Sequence, residues 1–84
     1  MTYTLAQLPP GESGCVAALD FPPRKARRME DLGFLPGQQV IALHTPPFGG
    51  ITAYQVLDTV IALRDTDASR ITLYTLQDEK DDVL

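Results

Sequence analysis

The chain has one imidazole, His44, and one thiol, Cys15, and these two residues bound most of the chemistry it can perform. Nucleophilic catalysis through a Ser-His-Asp or Cys-His arrangement would have to use His44, at the end of an expected strand with no acidic residue placed to orient it. The sequence therefore reads as a non-enzyme that requires no cofactor. A tight first-row metal site needs three or four converging His, Cys or carboxylate donors. The candidates are His44 and Cys15, on separate strands, so a divalent transition metal would be held weakly or between two copies of the chain. Gly49 and Gly50 precede a strand rather than opening a helix, and no G-x-x-x-x-G-K-[ST] occurs, which removes the phosphate-cradle reading.

Charge is the other resource. Of seven Lys and Arg residues, Arg24, Lys25, Arg27 and Arg28 fall within five positions, while Asp78, Glu79, Asp81 and Asp82 crowd the C-terminal end. A net charge of -4 argues against a nucleic-acid footprint spread over the surface. No aromatic interleaves with the arginines to stack bases. The basic run is then either a solvated helix face, with Arg27 and Asp31 paired at i, i+4, or a face that docks on an acidic surface. Residues 77–84 read as an acidic, flexible tail.

The elements that must position these groups follow from periodicity. With 84 residues and 44% hydrophobic content the chain suits one small domain, placed at 1–76. A lone cysteine excludes an internal disulfide and fits a reducing compartment. The N-terminal stretch lacks a basic, then apolar, leader and no apolar run approaches the ~20 residues of a membrane span, so a cytoplasmic protein without direct membrane insertion is expected. Pro-Pro pairs at 9–10, 22–23 and 46–47 mark corners. Between and after them lie five strand-like segments: Cys15 to Asp20, "QQVIALH", "TAYQVL", "TVIALR" and "RITLYTL".

The segment "FPPRKARRMEDLGFLPG" differs. Helical spacing gathers Ala26, Met29 and Gly33 on one side, with Leu32 at its edge, and Arg24, Arg27, Arg28 and Asp31 on the other. Pro23 suits the first helical position. Gly33 suits a left-handed ending that sets Phe34 against Met29, and Pro36 prevents the helix resuming. Strand alternation places Ile41 with Leu43, Tyr54 with Val56, Ile61 with Leu63 and Ile71 with Leu73 inward, and His44 outward with Val40 and Ala42. Asp65 is expected to cap a single helical turn. These elements make a mainly β fold, a small SH3-like barrel of about five strands with one α-helix added between the first and second. "HTPPFGG" at 44–50 then reads as a corner, stiff at first and flexible after, that holds Phe48 at the barrel rim.

Four stretches resemble the ferrous iron transport protein A family (FeoA): "LPPGESG" at 8–14, "RRMEDLGFLPG" at 27–37, "PPFGG" at 46–50 and "TVIALRDTDASRI" at 59–71. The chain departs from the family where a proline often follows the glycine pair, here Ile51, and where a glycine often turns into the fourth strand, here Asp58. The resemblance implies a cytosolic accessory protein of bacterial ferrous iron uptake. Its implied partner is the FeoB permease, with its cytosolic GTP-binding domain. Arg24, Arg27, Arg28, Met29, Phe34, Pro47 and Phe48 are the candidate partner-binding residues, and His44 and Cys15 the candidate metal ligands. The alternatives are a Fe²⁺ carrier or metal-bridged homodimer and, with less support, a regulator of the permease GTPase. Metal-dependent repressors carry similar barrels, but 84 residues leave no helix-turn-helix to read DNA.

Overall fold

The computed structural model describes residues 2–44 and 49–74. Six strands form one antiparallel sheet in the order β1-β6-β2-β3-β4-β5: β1 (Thr2–Thr4), β2 (Ser13–Leu19), β3 (Gln39–His44), β4 (Ile51–Val56), β5 (Thr59–Arg64) and β6 (Ile71–Tyr74). A short 3₁₀ turn, Leu5–Gln7, follows β1; helix α1 spans Pro23–Leu32 and helix α2 spans Asp65–Ala68. The fold is mainly β, as the alternation requires. It has one more strand than expected. The extra piece, β1, carries only three residues and pairs with β6 at the sheet edge, which is too short for its alternation to register. With β1 counted, the added helix lies between the second and third strands.

Bending comes from two irregularities. The β2–β6 register shifts between Val16 and Ala18, and the β3–β4 register shifts between Ala42 and His44. An extra residue on one strand sharpens local twist and curls the sheet toward closure. β2 also serves two neighbours, pairing with β3 at residues 13–15 and with β6 along 15–19. Gly14 lies under the Tyr3 ring: a Cβ at this position would sit 2.5 Å from the tyrosine oxygen and 3.2 Å from Leu73 Cδ1.

The inward face holds Leu5, Leu8, Val16, Met29, Phe34, Val40, Ala42, Tyr54, Val56, Leu63, Ala68, Ile71 and Leu73. For β4, β5 and β6 this matches the expected inward pairs, with Ile61 partly buried against the core. For β3 the expectation is reversed: Val40 and Ala42 are buried while Ile41 and Leu43 are half-buried. "VIAL" is apolar at both parities, so its own pattern cannot choose a face. Pairing chooses it. Val40 lies opposite Val56 and Ala42 opposite Tyr54, and directly paired residues share a face of the sheet. The small Ala42 leaves room for the Tyr54 ring, whose hydroxyl donates to the Leu5 carbonyl at 3.4 Å.

Helix α1 ends as its sequence dictates. Gly33 has φ 118°, its N–H bonds to the Glu30 carbonyl at 2.9 Å, and the Phe34 N–H bonds to the Met29 carbonyl at 3.1 Å. That pair of bonds is the Schellman pattern. At the start, Pro23 occupies the first helical residue and the Ala26 N–H reaches the Pro22 carbonyl at 2.8 Å. Helix α2 forms where expected, but Asp65 does not cap it. Asp65 is its first helical residue, and its carboxylate accepts from the Thr52 hydroxyl at 3.5 Å.

Candidate docking surface

Helix α1 divides its basic residues by task. Lys25 is spent inside the molecule: its ammonium is 2.8 Å from Asp67 Oδ1 on α2 and 5.5 Å from the centre of the Phe21 ring. The Asp20 N–H adds a bond to the Arg70 carbonyl at 2.9 Å, so the turn before α1 is tied to the turn after α2. With Lys25 and Asp67 45% and 23% exposed, the ion pair is worth at most about 1 kcal/mol, and its main effect is to fix the orientation of α1. Between these anchors lies a shallow cleft of about 350 Å³ walled by Phe21, Pro22, Lys25, Thr66, Asp67 and Arg70.

Arg24, Arg27 and Arg28 are exposed, and among the described residues none has an acidic partner. The expected Arg27–Asp31 pair does not form. Arg24 and Arg27 flank Pro23 around a second depression of about 360 Å³. Their placement runs against the helix dipole. The first turn of α1 holds no acidic residue and the last turn no basic one. Arg24 and Lys25 thus add to the positive end, and Glu30 and Asp31 to the negative end. Each such charge costs a few tenths of a kcal/mol, so this arrangement does not serve helix stability. It produces a local positive field at one end of a helix that the sheet holds in place.

The other end of α1 carries an apolar cluster beside the exposed Glu30 and Asp31, which alternation did not reveal. Leu32, Leu35 and Leu57 are 40%, 45% and 57% exposed. They gather at Gly33, where an added Cβ would be 3.1 Å from Leu57 Cδ1. Leu57 opens the two-residue β4–β5 connection with φ 55°. The left-handed residue of that turn is therefore Leu57 and not Asp58. Positive φ at the first connecting residue alone is the type II′ requirement, usually met by glycine. A leucine there keeps a strained backbone and presents a large side chain to solvent.

The remaining candidates lie elsewhere. Met29 and Phe34, expected among the partner-binding residues, are 5% and 0% exposed. They belong to the core because the Schellman ending folds Phe34 back under the helix, and they support the surface from below. Pro47 and Phe48, with the corner they form, lie outside the described residues, as does the expected tail at 77–84. His44 is exposed at the end of β3, whereas Cys15 is 3% exposed. Cys15 pairs with Gln39, five residues along β3 from His44, which puts the two roughly 16 Å apart at ordinary strand rise. They do not converge, and no group of three or more His, Cys, Asp or Glu able to hold a metal occurs among the described residues. Among the described residues no helix is long and apolar enough to cross a membrane.

The profile of the FeoA domain family matches residues 3–74. No significant match is found among curated proteins. Among solved structures, the chain is 34% identical to a Stenotrophomonas maltophilia FeoA complexed with zinc. That structure is described as a prokaryotic SH3 domain protein and a proposed ferrous iron transport activating factor, and the match covers 83% of this chain and 87% of that one with a TM-score of 0.72. A Chlorobium tepidum FeoA is 26% identical with a TM-score of 0.81, covering 87% of this chain and 70% of that one. A manganese-dependent transcriptional repressor, 20% identical with a TM-score of 0.78, shares the fold over 89% of this chain and 42% of its own.

Proposed function

Because the chain belongs to the FeoA family, with an SH3-like barrel, we propose that it acts by binding rather than catalysis, as a cytosolic accessory protein of bacterial ferrous iron uptake. It docks through helix α1 on the cytosolic part of an FeoB-type permease and supports its transport. The observation that carries this reading is the pair of unlike ends on α1. Three exposed arginines, without an acidic partner among the described residues, occupy the first six residues of α1, with Arg24 in the turn where the dipole is already positive, and three exposed leucines stand at the other end. The arginines steer an acidic partner surface and the leucines supply area to desolvate. Titration with the permease's cytosolic part tests it. Reversing Arg24 and Arg27 to Glu together weakens binding at least tenfold, most at low salt; unchanged affinity in that variant refutes the docking face.

A second reading rests on the exposed His44 and the zinc-complexed relative. One imidazole is too few donors, so a ferrous ion held here would bridge two copies. Equilibrium dialysis against Fe²⁺, with and without His44→Ala, separates this from the first.

A further inference from the structure

The sheet ends at β5, and the outer edge of that strand is self-complementary. Among the described residues β5 pairs only with β4, in unbroken register from Ile51↔Arg64 to Val56↔Thr59. The Asp65 N–H bonds to the Gly50 carbonyl at 2.9 Å, one step beyond the Ile51↔Arg64 pair. In an antiparallel ladder, groups pointing at the neighbour alternate with groups pointing away. The backbone N–H and C=O of Leu63, Ile61 and Thr59 therefore face β4, and those of Arg64, Ala62 and Val60 face outward. Asp58, Val60, Ala62 and Arg64 are all exposed, Val60 at 61%.

We propose that two copies of this chain associate by antiparallel pairing of their β5 edges about a two-fold axis through Ile61. The alternation restricts the register. Outward-facing residues must lie opposite outward-facing residues, so an even-numbered position meets an even-numbered one. Among the registers that obey this, the one centred on Ile61 sets Val60 opposite Ala62 and brings Asp58, the turn residue just before the strand, beside Arg64 of the second copy. Symmetry repeats both pairs. The result is an apolar centre flanked by two opposite-charge pairs on one face, with Ile61 meeting its own copy on the other. Centring on Val60 places Asp58 against Ala62, and centring on Ala62 places Arg64 against Val60; both forfeit the charge match. Neither Asp58 nor Arg64 has an ion-pair partner among the described residues. The strand also lacks the usual protections of a free edge, since it holds no proline, no bulge and no inward charge. One six-residue strand covers less area than a permanent dimer needs, so the association is reversible and concentration-dependent.

Sedimentation equilibrium from about 10 µM to about 1 mM tests the proposal. The unaltered chain shows reversible monomer–dimer behaviour. Asp58→Arg and Arg64→Asp each create two like-charge pairs and weaken association about tenfold, and the double exchange restores it. Val60→Pro removes an outward N–H without touching the β4–β5 ladder, so it abolishes the dimer while circular dichroism and the melting transition report an intact sheet. A monomer at every concentration overturns the proposal, as does a dimer that survives Val60→Pro or is not rescued by the double exchange. Slowed amide exchange at Val60 and Ala62 only when the permease's cytosolic part is added also overturns it, since the edge would then belong to another protein.

Discussion

Replacing Gly33 with alanine tests whether the end of α1 positions the surface. With φ 118°, residue 33 sits in a region that L side chains avoid, and entering it costs about 1–2 kcal/mol. The added methyl also meets Leu57 Cδ1 at 3.1 Å and Val56 Cγ2 at 3.2 Å. Val56 is 0% exposed and cannot swing into solvent, so relieving those contacts costs about 1 kcal/mol more. The sum, about 2–3 kcal/mol, is a large share of the stability of so small a domain. At about 4–8 °C per kcal/mol it lowers the melting temperature by roughly 10–20 °C. Gly37→Ala supplies the control, because residue 37 has φ 91° but nothing within 4 Å of an added Cβ. It isolates the backbone cost and loses about 1–2 kcal/mol. Thermal and urea unfolding followed by circular dichroism measure both. A loss at Gly33 no larger than at Gly37 refutes the packing part of the reasoning, and a loss below about 0.5 kcal/mol at both positions refutes all of it.

Two further outcomes concern the core and the β4–β5 turn. Tyr54 is buried, which raises its pKa above the usual 10.0, while a hydrogen bond with Thr52 acts to lower it and the nearby Asp65 carboxylate to raise it. Folding therefore favours the protonated phenol. Stability from this group is intact below about pH 10 and falls as pH rises beyond it, because the unfolded chain releases the proton first. Tyr54→Phe lowers stability by about 1 kcal/mol at neutral pH and flattens the alkaline decline, measured by urea unfolding at pH 7 and above 10. Leu57→Asn gives the φ 55° position a residue that tolerates it and raises the melting temperature by a few degrees. The same substitution weakens permease binding, so stability and docking move in opposite directions.

Much of the fold is legible because local chemistry and tertiary packing agree. Both ends of α1 follow from Pro23 and Gly33, and the faces of β4, β5 and β6 follow from alternation. β3 was illegible for a physical reason: its residues are apolar at both parities, and Tyr54 and Val56 across the ladder select the buried set. β1 escaped notice because three residues at an edge carry no pattern. The candidate docking surface was half visible. Clustered arginines announce themselves in the sequence, whereas Leu57 joins Leu32 and Leu35 only through a turn that brings β4 beside the end of α1. Met29 and Phe34 show the opposite error, since an apolar residue next to a basic run reads as a rim residue until the Schellman ending turns it inward.

The docking claim is tested most directly by following the backbone amide resonances of this chain as the permease's cytosolic part is added. The account predicts that the largest changes fall on Arg24, Arg27, Arg28, Leu32, Leu35 and Leu57, with the amides of β1 and β6 little altered. Changes confined to β1, β6 or the His44 end of β3, with helix α1 silent, would contradict it.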